Sequence, residues 1–107
     1  MSFRIVITDS FRRPGKRLRK KYATFKANFA VLLDEEPQAG ESLGRDCYKV
    51  RMVIAAKNRV KRGGARVITC VKIVGETVCL LTIYDKSEQD SISDKKRDDL
   101  LRENGLL

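Results

Sequence analysis

Lys49 and Arg51 stand two residues apart in the alternating run 48–55, and Arg66 opens a second β-rich run at 65–74. Positions i and i+2 of a strand share one side of a sheet, so these two cations face away from Tyr48, Val50, Met52 and Ile54. The ordinary account of a charged strand face is solvation. Here Arg66 enters from the neighbouring strand, and three converging cations repel one another until an anion settles them; phosphate is the anion that guanidinium forks match.

Such a patch has a chemistry open to it. RNA is cleaved when its own 2′-hydroxyl attacks the adjacent phosphate, which calls for a base, an acid for the departing 5′-oxygen and positive charge for the crowded phosphorane. The chain has no histidine to shuttle protons, and no carboxylate cluster suggests a metal pair. Lys49 could serve as base if Arg51 and Arg66 depress its pKa, while the arginines stabilise charge. Tyr84, at the end of the last β-rich run, offers an aromatic platform for a base or a proton donor. A protein that binds RNA passively would carry the same residues.

Charge is distributed to match. Residues 1–33 hold nine Lys/Arg against one Asp (+8), residues 34–44 are acidic (−4), and residues 45–66 hold eight Lys/Arg against Asp46 (+7). Two basic blocks around an acidic patch suggest a surface facing a polyanion. Three cysteines, Cys47, Cys70 and Cys79, without C-x-x-C spacing make a poor zinc site, and small apolar residues of a reducing compartment are the better reading. No cofactor or metal is expected. No run is apolar for long enough to cross a bilayer, and Arg4 within the first apolar run suits a strand and not a signal sequence, so a cytoplasmic protein is expected.

The elements that must position these residues follow from periodicity. The 107 residues have room for one domain, expected over 1–107. Residues 3–8 alternate as a strand. Asp9, Ser10 and the Arg12-Arg13-Pro14 step offer a helix start, since proline is tolerated in a first turn, and Leu18 and Tyr22 give it a thin apolar stripe. Thr24 can cap a second helix whose buried face is Phe25, Phe29, Leu32 and Leu33. Residues 38–47 read as a loop, 48–55 as a strand, 56–64 as a flexible basic arm and 65–74 as a strand. Gly75-Glu76 suits a two-residue type II′ turn into a strand over 77–84, and Ser93 can start a closing helix that packs through Leu100 and Leu101. The expected fold is α+β, with the first strand and two helices packed on an antiparallel sheet of about four strands and a short last helix near its edge.

The order Tyr48-Lys49-Val50-Arg51, a basic loop, Gly63-Gly64-Ala65-Arg66-Val67-Ile68, then Leu81-Thr82-Ile83-Tyr84-Asp85-Lys86-Ser87-Glu88 resembles the RelE-like toxins of the RelE/ParE superfamily. The resemblance in element order covers nearly the whole chain, and the motifs run from about residue 44 to 95. It implies a metal-independent mRNA endonuclease acting on ribosome-associated mRNA, the toxin of a type II toxin–antitoxin pair silenced by a cognate antitoxin in a hetero-oligomer. It also implies that Lys49 and Arg51 match the family's paired strand cations, Arg66 the arginine of the following strand, and that Lys57, Arg59, Lys61 and Arg62 lie in an RNA-touching loop. Where well-studied members carry a further arginine and a stacking tyrosine after the last strand, this chain has Ser87 and Ser93; Tyr84 and Lys86 would substitute, one stacking and the other holding phosphate. The ParE branch, which poisons DNA gyrase, usually lacks the cationic set. A non-catalytic RNA-binding module is the third reading.

Overall fold

The computed structural model describes residues 3–34, 40–56, 59–72 and 75–107, with the backbone alone described at 56 and 59–63. The chain runs β1 (Arg4–Ile7), α1 (Asp9–Lys21), α2 (Phe25–Leu33), β2 (Glu41–Gly44), β3 (Cys47–Ala56), β4 (Arg59–Lys72), β5 (Thr77–Asp85) and α3 (Asp94–Glu103). The architecture is α+β, as expected, around one five-stranded sheet in the order β1-β5-β4-β3-β2.

That sheet is mixed and not purely antiparallel. β1 pairs in parallel with β5, from Arg4 opposite Thr77 to Ile7 opposite Leu80, while every other neighbour is antiparallel. The parallel edge holds α1 against the sheet: the Thr8 hydroxyl donates to the Leu80 carbonyl at 2.7 Å and the Ser10 hydroxyl to the Leu81 carbonyl at 2.5 Å. The Thr8 side chain therefore does not cap α1. The helix begins at Asp9, which puts Pro14 beyond the first turn expected for it. Thr24 likewise precedes α2 without capping it; its hydroxyl contacts the Ala55 carbonyl of β3, and so ties helix to sheet.

Three further expectations are corrected. Residues 41–44, read as loop, form β2, joined to β3 through Arg45 and Asp46, both left-handed (φ 53° and 63°), the geometry of a type I′ hairpin without its usual Asn-Gly. The basic arm 56–64 is largely strand, since β4 begins at Arg59; Lys57 lies outside the described residues. The register between β3 and β4 shifts between Met52 and Ile54, and Gly64 (φ 59°) answers that shift: a Cβ there would collide with the Met52 carbonyl oxygen. Finally, the last described pair of the β4–β5 ladder is Lys72 opposite Thr77, and residues 73 and 74, expected as the end of the strand, lie outside the described residues. Glu76 has φ 49°, which a type II′ turn over Gly75-Glu76 does not allow.

Both faces of the sheet are covered. On one face, Phe11, Leu18, Phe25 and Leu32 of α1 and α2 pack on Val50, Met52, Ile54, Val67, Leu80 and Ile83. On the other, Leu100 and Leu101 of α3 pack with Ile68, Cys70, Cys79, Leu81 and Tyr84. Ser93 caps α3, accepting the Lys96 N–H at 3.0 Å, and Arg97 donates to the Leu43 carbonyl at 2.5 Å, binding α3 to β2. The three cysteines are reduced and buried, Cys70 opposite Cys47 on one side and Cys79 on the other. Among the described residues no helix is long and apolar enough to cross a membrane.

The C-terminal end of β5 is fixed by Asp85, whose carboxylate is fully buried. It accepts the Tyr22 hydroxyl, the Lys21 ammonium at 3.2 Å, and the Ser87 N–H and hydroxyl at 2.9 and 2.6 Å. Lys21 is partly open to water, so the loss on removing the carboxylate comes from the hydrogen bonds of Tyr22 and Ser87 and amounts to about 2 to 3 kcal/mol. Asp85→Ala is therefore expected to lower the urea midpoint by an equivalent amount with an unchanged slope, and Tyr22→Phe by about 1 kcal/mol. A neutral Asp85→Ala would show that the carboxylate holds nothing.

Candidate functional site

Cross-strand register assembles the site. Arg51 lies opposite Arg66, and Arg66 opposite Tyr84, so the three occupy one row across β3, β4 and β5. Residues opposite one another in a ladder point to the same side. Tyr84 belongs to the cluster under α3, so the row opens on the α3 face, and Lys49, two residues from Arg51, shares it. β3 presents Lys49 and Arg51 outward because Tyr48, Val50, Met52 and Ile54 are drawn to the core beneath α1 and α2.

Each side chain has a defined setting. Lys49 is largely sheltered, its side chain 16 % exposed; Nζ lies 3.0 Å from the Glu41 carboxylate and 3.4 Å from the Ser91 hydroxyl. Arg66 is half-buried and donates to the Ala65 carbonyl at 3.1 Å. Arg51 is exposed and also borders a groove at the sheet edge formed with Asn28, Val31, Leu32, Met52 and Val53. The Tyr84 ring is 5 % exposed and its hydroxyl donates to the Asp90 carbonyl at 3.3 Å. A base can stack only on an open ring face, so the hydroxyl is the part of Tyr84 turned toward the site. Lys86 pairs with Asp90, four residues on. Of the other basic residues named from the sequence, Arg59, Lys61 and Arg62 lie on β4 by backbone, and Lys57 falls outside the described residues.

Electrostatics tie these groups together. Burial pushes the Tyr84 phenol above its usual value, against the opposing pull of the Lys49 and Arg66 charges and a hydrogen bond with Ser91. The Asp90 carboxyl is held below the usual carboxylate range by Lys86 first, and also by Lys49 and Arg66. Asp90 therefore sits among the cations of the row as their neighbour across the 86–91 segment.

Glu41, Ser91 and Asp90 are the site residues that sequence reasoning missed. Glu41 stands opposite Lys49 in the β2–β3 ladder, a relation visible only once 41–44 is known to be a strand. Ser91 and Asp90 reach the row because the turn after Asp85 folds back over the end of β5, with the Glu88 and Gln89 N–H groups donating to the Asp85 carbonyl at 3.0 and 3.2 Å. No group of residues that could hold a metal ion occurs among the described residues.

Neither a protein-family model nor a curated protein matches the chain by sequence. Solved structures do match in shape. The E. coli toxin RelE in the free state, carrying two arginine-to-alanine substitutions, aligns over 96 % of this chain and 98 % of its own with a TM-score of 0.55 at 16 % identity. The chain has a RelE-like fold. The isolated E. coli RelE toxin aligns over 94 % of this chain and 98 % of its own (TM-score 0.47, 17 % identity). The intact E. coli RelBE toxin–antitoxin complex aligns over 78 % of this chain and 96 % of the matched one (TM-score 0.46, 18 % identity).

The placement of Tyr84 has a measurable consequence. A buried phenol disfavours its anion, so one tyrosine is expected to ionise above the ordinary value of about 10 when followed by absorbance near 295 nm. Tyr84→Phe should remove that late phase. With the folded value raised, the stability linked to this group is intact below about pH 10 and lost as pH rises through the folded value. A titration whose last phase survives Tyr84→Phe would contradict the burial of this ring.

Proposed function

We propose that this chain is the toxin of a type II toxin–antitoxin pair and a metal-independent endoribonuclease that cuts ribosome-associated mRNA in the cytoplasm. The observation that carries the reading is the row Arg51–Arg66–Tyr84 with Lys49 beside it, on a fold of RelE type.

The geometry supplies the parts that transesterification needs. Arg51 and Arg66, facing each other across the β3–β4 ladder, flank a backbone phosphate and neutralise the charge that builds on it. Lys49 adds a third positive charge and fixes the Glu41 carboxylate at 3.0 Å, where Glu41 can take the proton of the attacking 2′-hydroxyl. Tyr84, its phenol kept protonated by burial, is the donor for the departing 5′-oxygen. Lys86 holds a neighbouring phosphate once RNA displaces Asp90 from it. Arg59, Lys61 and Arg62, on β4, and Lys57, two residues before it in the sequence, would contribute to the RNA contact. The cognate antitoxin silences the chain by covering this cationic face, in a hetero-oligomer.

Induced expression followed by primer extension tests the reading. The wild-type chain is expected to stop growth and leave discrete new 5′ ends in mRNA. Lys49→Ala combined with Arg66→Ala should restore growth and lower cleavage by about 100-fold or more, the scale of losing preorganised charge from a phosphorane. Glu41→Gln should slow cleavage while leaving RNA affinity near wild type. Toxicity without new RNA ends, or a double mutant as toxic as its parent, would refute the assignment; breaks in DNA in place of RNA ends would point to gyrase.

A further inference from the structure

We infer that the solvent face of α1 is a second RNA-binding surface, one that takes double-helical RNA through its phosphates and is separate from the cleavage row. The inference rests on the proposed function only in taking RNA as the polyanion.

α1 carries seven cations in thirteen residues and a single acid, Asp9. Its apolar side, Phe11, Gly15 and Leu18, is buried against the sheet. Three of its cations are accounted for. Arg12 lies 3.3 Å from Asp9, Arg17 lies 3.3 Å from Glu88, and Lys21 is shared between Asp85 and Glu88. Arg13, Lys16, Arg19 and Lys20 have no ion-pair partner among the described residues. Arg13, Lys16 and Lys20, at i, i+3 and i+7, form one line along the outer face, roughly 10 Å long at the helical rise. Like charges at these spacings destabilise a helix on its own. A phosphate row removes that repulsion.

The chemistry of the face selects the occupant. It presents cations and no exposed aromatic ring, so it can grip phosphates but cannot stack on the bases of a single strand. A straight, rigid row suits a regular A-form helix, whose recognition rests on shape and phosphates. A basic helix that lies on an anionic membrane needs a free apolar side, and the apolar side of α1 is committed to the core. α1 packs on the sheet face opposite to the one that displays Lys49, Arg51 and Arg66. The chain therefore holds RNA on two faces, and a duplex held on α1 raises the local concentration of any strand near the row.

Binding of the full-length chain to a blunt RNA duplex, read by fluorescence anisotropy across a salt series, tests this. Arg13→Gln with Lys16→Gln and Lys20→Gln is expected to weaken duplex binding at least 10-fold and to reduce the salt slope by two to three, about 0.9 for each phosphate no longer neutralised. The charge-keeping set Arg13→Lys, Lys16→Arg and Lys20→Arg should bind as wild type, and circular dichroism should show all variants folded. Lys49→Ala with Arg66→Ala should lose clearly less duplex affinity than the glutamine variant. Unchanged duplex binding in the glutamine variant, or equal loss in the Lys49/Arg66 variant, would overturn the inference. So would a preference for an acidic peptide over the duplex. A wild-type chain that binds the duplex through α1 but never cuts RNA would sink the nuclease reading alone.

Discussion

The buried carboxylate of Asp85 is the constraint on which the site depends. A fully buried charge is tolerated only when its lone pairs are satisfied, and here α1 supplies Lys21 and Tyr22 follows it, while the next turn supplies Ser87. Asp85 thus fastens three things at one point: the end of β5, the end of α1 and the start of the 86–91 segment. From there the chain folds back so that the Asp90 carbonyl accepts the Tyr84 hydroxyl and Ser91 accepts from Lys49. The Lys86 N–H donates to the Gly64 carbonyl at 3.0 Å, which extends the same hold to β4 at its irregular point. Without this anchor the row would have its cations but nothing to close their open end.

The second determinant is register. A slip of one residue between β3 and β4 would turn Arg66 to the opposite face from Arg51 and break the row. The buried alternation of Val50 and Met52 against Val67 and Ala65 sets the pairing, and the shift at Met52/Ile54, with Gly64 approaching the Met52 carbonyl, places an irregularity next to the cationic row instead of within it. Two apolar faces are consequently needed: one beneath α1 and α2 to hold the register, and one beneath α3 to bury the body of Tyr84 and leave only its hydroxyl near the cations.

How far the sequence disclosed this varies with the range of the interaction. Elements defined by their own periodicity, namely α2, β3, β5 and α3, lie close to where the apolar spacing puts them, and the sharing of one side by Lys49 and Arg51 follows from i and i+2 alone. β2 was hidden because its residues are polar and its turn uses Arg45 and Asp46 in place of Asn-Gly. The extension of β4 through 59–64 was hidden by its glycines, which mark a bulge as readily as a loop. Glu41, Ser91 and Asp90 join the site through pairings that span up to 42 residues of chain, and no local pattern encodes those. The parallel addition of β1 beside β5 is of the same kind: its alternation says strand and is silent about the neighbour.

The two basic surfaces differ in how their charge is balanced, and that difference bears on what each can do. In the row, Lys49 leans on Glu41 and Lys86 on Asp90, acids whose side chains are 66 % and 87 % exposed. Ion pairs that open to water contribute little to stability, so these carboxylates orient the cations at small energetic cost and yield readily to a polyanion. Under the proposed function, a scissile phosphate entering the row would meet side chains already aimed, with the Glu41 carboxylate beside the reacting atoms as a proton acceptor. The outer line of α1 has no such internal anions. Its repulsion is relieved only from outside, so under the inference drawn above it would grip more strongly with every phosphate it meets, whereas the row, on the proposed function, would be set for one.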